Sequence, residues 1–326
     1  MPQGLAIITT FAATGAALVA FVAWKIAQSL LRPPRMTDGR AMYFLRRLSP
    51  GDVGLPFETM RFTVRDEQRA RGSGNATTDL AAWWIPNPSA NGRVAMLLHG
   101  YADAKVGAVA WAPCFHQLGF NVLALDLRAH GESGGRHSTG GYFERFDVKQ
   151  VIEQLSAQRP RDARRFVLFG ASLGAAVALA TAELIEREPL EDDRLIGLVL
   201  DSPFRDYART AEAQVELLGA PTTFAMPLAV QIAQLVSGAR FGDLDSARMI
   251  RELRVPILMI ESGSDVLVGD YDLRALADAM RSRSHRSPRD TFWRAEGTPH
   301  LLALSREPAE YQRRLAKFVG SLELQG

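Results

Sequence analysis

A chain of 326 residues, 47% apolar and 23% charged, is long and apolar enough for one large or two small globular domains. Its single cysteine, Cys114, excludes an intrachain disulfide and any zinc site built from several cysteines. With 38 basic and 36 acidic residues, the net charge of +2 gives no general electrostatic reason to bind nucleic acid.

The amino-terminal region contains an uncharged run of 21 residues at 4–24. A helix of that length is about 31 Å long, close to the thickness of the hydrocarbon core of a bilayer. Trp24 suits a membrane interface, and the Pro-Pro pair at 33–34 should end the helix. We therefore predict one transmembrane helix in an anchor segment, residues 1–36, followed by one globular domain, residues 37–326.

The charges that flank this run predict its orientation. The nearby basic residues lie on its carboxyl side: Lys25, Arg32, Arg35, Arg40, Arg46 and Arg47. By the positive-inside rule, the rest of the chain then lies in the cytoplasm. A cleaved signal peptide is the main alternative, but it needs basic residues before the apolar run, where Pro2 and Gln3 stand. A buried core helix is disfavoured because the run has no polar face.

From residue 57 onward, short apolar runs alternate with amphipathic stretches. Strands are predicted at residues 59–64, 80–85, 94–98, 121–125, 166–169, 195–200, 257–260 and 291–294. Helices are predicted at about residues 106–118, 143–158, 173–187, 268–281 and 300–319. This alternation favours a mostly parallel eight-stranded sheet flanked by helices, an α/β fold. The first strands have no helix between them, which predicts an antiparallel edge, and the polar residues 66–78 predict a surface loop.

A long connection separates the sixth and seventh predicted strands. Residues 203–252 contain the apolar stretch PTTFAMPLAVQIAQLV and are too many for a structureless loop in a compact domain. We predict that they form helices of their own, as a short lid-like insertion over a pocket.

The strongest chemical signal is the segment RFVLFGASLGAAVALA, residues 165–180. An apolar strand runs into Gly-Ala-Ser-Leu-Gly and then into an alanine-rich helix, the context of a G-x-S-x-G nucleophile elbow. The two glycines avoid clashes in a sharp turn that exposes the hydroxyl of Ser172. Ser133 lies in a second match, GESGG, but the residues after it cannot begin an apolar helix. Ser172 is therefore the predicted nucleophile.

A serine nucleophile needs a general base, and the base needs an acid that orients it. In a site with the chain order serine, acid, histidine, only His285 and His300 come late enough to serve. His285 lies in the basic loop RSRSHRSPRD, whereas His300 follows the last predicted strand. We select His300.

The orienting acid is expected after one of the later strands. We select Asp265, in the loop ESGSD after the seventh predicted strand, because it can reach a histidine on the next loop. Glu261, at the end of that strand, and Asp201, after the sixth strand, remain rivals.

Negative charge that develops on a substrate oxygen needs two backbone donors. The N–H of Leu173, directly after the nucleophile, is one candidate. The N–H of Tyr101, in the loop LLHGYADAK after the third strand, is the other. We interpret His99, in the same loop, as a turn residue.

Over about residues 55–320, the chain resembles the α/β-hydrolase superfamily. The resemblance depends on five segments that occur in this order: LLHGYADAK, DLRAHGESGG, GASLG, ESGSD and TPHLL. Within the superfamily, the chain is similar to the serine-aminopeptidase-like and monoglyceride-lipase-like branch with an amino-terminal membrane anchor. The resemblance implies the α/β-hydrolase fold and a structural role for three residues of the second segment: Asp126, Arg128 and His130. Ala129 stands where the family usually has glycine, and Glu261-Ser262 replaces a more usual His-Gly pair.

These residues predict a serine hydrolase that cleaves carboxylic esters through an acyl-enzyme, without a metal or an organic cofactor. The apolar insertion and the membrane anchor favour apolar acyl substrates. An aminopeptidase-like amide hydrolase or an acyltransferase would use the same triad, and a peptidase would need an acidic subsite for a substrate amine. A non-catalytic binding module is disfavoured, because a degenerate site would not need all three side chains.

Overall fold

The computed structural model describes residues 2–70, 74, 76–217 and 225–322, with residues 2–13 described by their backbone alone. The described strands are β1 (Glu58–Arg65), β2 (Thr77–Ile85), β3 (Arg93–Leu98), β4 (Asn121–Leu125), β5 (Arg165–Ala171), β6 (Leu195–Asp201), β7 (Ile257–Ser262) and β8 (Thr291–Ala295). They form one eight-stranded sheet in the order β1-β2-β4-β3-β5-β6-β7-β8. β2 pairs antiparallel with β1 and β4, and the other neighbouring pairs are parallel.

Helices connect and cover these strands. The described helices are α1 (Pro2–Leu31), α2 (Asp38–Leu45), α3 (Glu67–Ala70), α4 (Lys105–Ala108), α5 (Ala112–Gln117), α6 (Glu144–Gln158), α7 (Leu173–Arg187), α8 (Tyr207–Leu217), α9 (Ala225–Ser237), α10 (Ser246–Glu252), α11 (Asp270–Arg281), α12 (Ala303–Arg306) and α13 (Pro308–Leu322). Short 3₁₀ turns lie at Pro50–Val53, Val109–Trp111, Glu191–Asp193 and Phe241–Asp243.

Both faces of the sheet are buried because successive side chains of each strand point to opposite faces. In β3, Val94, Met96 and Leu98 pack in one apolar cluster with α6 and α7. The alternating residues Ala95 and Leu97 pack in a second cluster with α5 and α13. This two-sided burial is the reason that the parallel strands are nearly continuous apolar runs.

The sequence predicts all eight strands and the antiparallel edge correctly, with differences of a few residues at their ends. The predicted helix at 106–118 is divided into α4, a 3₁₀ turn and α5, and Pro113 stands in the first turn of α5. The predicted helix at 300–319 is divided in the same way, and α13 begins at Pro308. The predicted loop at 66–78 contains the short helix α3 and the start of β2, and residues 71–73 and 75 lie outside the described chain.

The predicted insertion at 203–252 contains α8, α9 and α10, while its residues 218–224 lie outside the described chain. α8 supplies Tyr207 and Ala211 to the larger apolar cluster, and α9 supplies Ala229 and Ala233. One side of α8 and one side of α9 therefore face the body of the domain, and α8 also supplies residues to the lining of a pocket.

Helix α1 is longer than the predicted apolar run and does not stand apart from the domain. Its outer part exposes Leu18 and Phe21, with more than 60% of each residue accessible. Its last turns bury Ala27, Leu30 and Leu31, and the helix packs against α9. The stretch Thr14–Leu31 is long and apolar enough to cross a membrane by length and composition, and 28% of it is buried. α1 is thus a membrane-anchor candidate whose carboxyl end belongs to the hydrophobic core.

Candidate active site

Ser172 lies in a strained turn between β5 and α7. Its φ of 51° and ψ of −111° are unusual for a residue with a side chain, and its N–H donates to the carbonyl of Asp201 at 2.9 Å. A Cβ at Gly174 would stand 2.0 Å from the carbonyl oxygen of Leu98, and one at Gly170 would stand 2.2 Å from that of Gly174. The two glycines of the motif are therefore required by the close approach of backbone segments.

The loop after β3 reaches the same point. A Cβ at Gly100 would lie 3.7 Å from the Cβ of Ser172, so the loop runs directly beside the serine. The N–H groups of Tyr101 and Leu173 find no acceptor among the described residues.

His300 and Asp265 are brought together from two successive loops. Nδ1 of His300 donates to Oδ2 of Asp265 at 2.5 Å, and the Asp265 side chain is almost completely buried. The other carboxylate oxygen of Asp265 accepts the N–H groups of Leu267, at 2.9 Å, and Val268, at 3.2 Å. These bonds fix the carboxylate, which in turn fixes the imidazole ring. No hydrogen bond joins Ser172 Oγ to His300 among the described residues, but both line one pocket.

The two rival acids do not contact His300. Asp201 accepts hydrogen bonds from the hydroxyls of Tyr311, at 2.8 Å, and Ser202, at 3.0 Å. Glu261 is buried with neither carboxylate oxygen hydrogen-bonded in the described chain, and its nearest cation is Arg294 at 3.7 Å. Burial raises the pKa of Glu261 to about 7. The geometry therefore pairs His300 with Asp265.

Ser133, His99 and His285 do not join the pair formed by His300 and Asp265. The buried hydroxyl of Ser133 donates to the carbonyl of Asp126 at 2.6 Å and accepts the N–H of Ala81 at 2.9 Å. Its proton and one of its lone pairs are therefore both engaged in hydrogen bonds. His99 uses both ring nitrogens in backbone hydrogen bonds, and burial lowers its pKa well below the usual range. His285 is exposed and lines a separate surface cavity.

The turn that contains Asp126 and Arg128 is held by buried ion pairs. Arg128 donates to Asp147 at 2.6 and 2.7 Å and to Asp66 at 3.2 Å, and Asp126 pairs with Lys105 at 2.8 Å. Arg35, one of the basic residues after α1, donates to three carbonyls of the same turn: His130, Gly131 and Ser133. Arg35 thus has a structural contact besides its place in the basic flank.

The pocket that joins Ser172 and His300 has a volume of about 250 Å³. Its walls are mostly apolar: Leu30, Leu173, Phe204, Tyr207, Ala211, Leu267 and Leu301. Its polar lining includes Asp103, Thr210 and Gln214, and burial raises the pKa of Asp103 to about 6. Sequence reasoning missed two lining residues: Asp103, which lies in the LLHGYADAK segment but was given no role, and Leu30, which lies more than a hundred residues from the serine.

Residues 89–237 match the family described as Serine aminopeptidase, S33. An uncharacterised protein of Mycobacterium tuberculosis is 32% identical over 190 residues, which are 58% of this chain and 58% of that protein. An uncharacterised membrane protein of Saccharomyces cerevisiae is 26% identical over 156 residues, 48% of this chain and 49% of its own length. The chain thus matches only part of the length of these relatives.

An esterase from Pyrococcus furiosus has a similar structure, with a TM-score of 0.66 and 23% sequence identity over 89% of this chain and 99% of its own. At this identity the similarity concerns the fold. Together with the sheet order and the match above, it confirms the α/β-hydrolase fold that the five motifs imply. The chain has the α/β-hydrolase fold, and its central part, residues 89–237, matches the serine aminopeptidase S33 family.

Proposed function

We propose that the chain is a serine hydrolase in which Ser172 is the nucleophile, His300 the general base and Asp265 the orienting acid. The observation that carries this proposal is the 2.5 Å contact between His300 and Asp265 at the pocket that also contains the strained Ser172. A buried carboxylate on Nδ1 selects the tautomer whose Nε2 accepts a proton from the serine.

The proposed reaction is acyl transfer to water. Ser172 Oγ attacks the carbonyl carbon of the substrate while its proton passes to Nε2 of His300, and Asp265 stabilises the resulting imidazolium. The N–H groups of Tyr101 and Leu173 donate to the oxyanion. His300 then passes the proton to the leaving group. In the second half, water gives a proton to His300 and attacks the acyl carbon, and His300 returns that proton to Ser172 Oγ as the acyl–oxygen bond breaks and the carboxylic acid leaves.

Carboxylic esters with an apolar acyl group are the substrates that we propose. The pocket walls are mostly apolar, and a volume of about 250 Å³ suits an acyl chain of moderate length better than a bulky polymer. The similarity to esterases of the same fold supports this assignment.

An amide hydrolase that recognises a substrate amine is the second candidate. The observation that favours it is the carboxyl group of Asp103 in the pocket lining, since a carboxylate can pair with an ammonium group. The family description, serine aminopeptidase, points in the same direction. An acyltransferase would use the same triad with another acceptor in place of water.

We further propose that α1 anchors the protein in a membrane with the hydrolase domain in the cytoplasm. The length and apolar composition of α1 support the anchor, and the basic residues on its carboxyl side support the orientation.

The test is labelling of the full-length protein in detergent with a fluorophosphonate probe, followed by mapping of the modified peptide. We expect the label on Ser172, no label in Ser172→Ala, and an unchanged position of the label in Ser133→Ala. A panel of esters and amides with graded acyl chains then separates the two candidates. Labelling at another residue, or none on folded protein, contradicts the proposal.

A further inference from the structure

The carboxyl end of α1 is capped by the hydrolase domain. The carbonyls of Ser29 and Leu30 would ordinarily accept the N–H groups of residues 33 and 34, four positions on. Both of those residues are proline and have no N–H. The hydroxyl of Tyr101 donates to the carbonyl of Ser29 instead, and the hydroxyl of Tyr207 donates to that of Leu30 at 3.0 Å.

Tyr101 thereby connects α1 to the loop after β3, which runs beside Ser172. Its backbone N–H belongs to that loop and is one of the two proposed oxyanion donors, while its hydroxyl is bound to the helix. Ala102, the next residue, has a φ of 58°, an unfavourable conformation for a residue with a side chain. Such a loop keeps its geometry only when contacts around it hold it there.

The helix that receives this bond is itself held firmly. Helix α1 packs on α9, and Ala23 and Ala27 of α1 and Ala229 and Ala233 of α9 are all buried. Small side chains on both helices allow a close approach, and a closely packed interface does not deform gradually. The adjacent N–H of Ser138 donates to the carbonyl of Leu31 at 2.8 Å and fixes the end of the helix further.

We propose that Tyr101 is a positioning residue whose side chain, bound to the last turn of α1, holds its own backbone N–H in place for the oxyanion. Helix α1 is then part of the catalytic machinery in addition to any anchoring role. This inference rests on the proposed serine-hydrolase function.

The experiment compares Tyr101→Phe with wild type in the full-length, detergent-solubilised protein, with p-nitrophenyl butyrate as substrate. The phenyl ring and the backbone N–H remain, so only the bond to α1 is lost. Since an oxyanion donor is worth roughly 100- to 1,000-fold in kcat, we expect a partly misplaced donor to lower kcat at least about tenfold, with KM nearly unchanged. Tyr142→Phe is the matched control, because Tyr142 is a buried tyrosine outside the pocket lining and its variant should retain the wild-type kcat.

A second variant tests the same bond from the other side. Pro33→Ala gives residue 33 an N–H that can close the helical bond to Ser29 and compete with Tyr101, so kcat should fall without removal of any pocket atom. This variant decides the question if Tyr101→Phe does not fold.

A wild-type kcat in Tyr101→Phe with a lower thermal midpoint overturns the inference, because the bond is then merely structural. An equal fall of kcat in Tyr142→Phe overturns it as well. If wild type hydrolyses no ester and takes no fluorophosphonate on Ser172, the proposed function itself fails, which is a different result.

Discussion

Nδ1 of His300 lies 2.5 Å from Oδ2 of Asp265, whereas Glu261, four residues earlier, is buried without a hydrogen bond to either of its oxygens in the described chain. Both carboxyl groups come from the end of β7 and the loop after it, so the sequence leaves them as rivals. The two side chains differ in what they reach: only the carboxylate of Asp265 contacts the ring of His300.

The first prediction separates these two acids. Asp265→Asn should lower kcat about 10³- to 10⁴-fold, because the amide favours the wrong tautomer of His300. Glu261→Gln should retain most of the turnover, since Glu261 does not contact the ring. Steady-state hydrolysis of one ester by both variants measures this. A large loss in Glu261→Gln alone would reverse the assignment.

The second prediction concerns pH and stability. Burial raises the pKa of Glu261 from 4.5 to about 7 in the folded chain, so the native state holds this proton more tightly than the unfolded state. The contribution to stability is present below pH 4.5 and is lost as the pH rises through 7. Wild type should therefore lose stability relative to Glu261→Gln between pH 5 and pH 8.

Urea unfolding at the two pH values gives this difference. Glu188→Gln is the control, because Glu188 is an exposed glutamate that is not among the charges acting on Glu261. A constant stability difference between wild type and Glu261→Gln across the pH range would show that Glu261 does not titrate there.

The third prediction tests whether α1 lines the substrate pocket. Leu30→Ala should enlarge the pocket and shift the preference towards longer acyl chains by about tenfold in kcat/KM, since one methylene is worth roughly 1–3 kcal/mol in an apolar pocket. Leu31→Ala removes an equally buried leucine that does not line the pocket. The ratio of octanoyl to butyryl ester hydrolysis should change in the first variant and not in the second.

The fourth prediction concerns the buried ion pairs of Arg128. Arg128→Met leaves Asp147 and Asp66 buried without their cation, which should lower the free energy of unfolding by roughly 3–5 kcal/mol. Denaturant unfolding measures the loss. If the variant is as stable as wild type, the attraction within the ion pairs only compensates the free energy that is lost when their charges are removed from water.

The fifth prediction concerns α1 as an anchor. The full-length protein should remain with membranes after carbonate extraction, and a reporter that works only in the periplasm should stay silent when fused to the carboxyl end. Activity of that reporter would reverse the proposed orientation. Release of the protein from membranes by carbonate would mean that α1 packs in the domain without anchoring it.

The eight strands, the strand–turn–helix around Ser172 and the order of the later site residues can all be predicted from the sequence. These features depend on near neighbours along the chain: an apolar run in each strand, and two glycines where backbone segments meet. The contact of His300 with Asp265 rather than Glu261, and the place of the last turn of α1 in the pocket wall, become visible only in the folded chain. Those contacts join segments 35 to 177 residues apart, and their partners are set by how loops and helices pack, which no local pattern records.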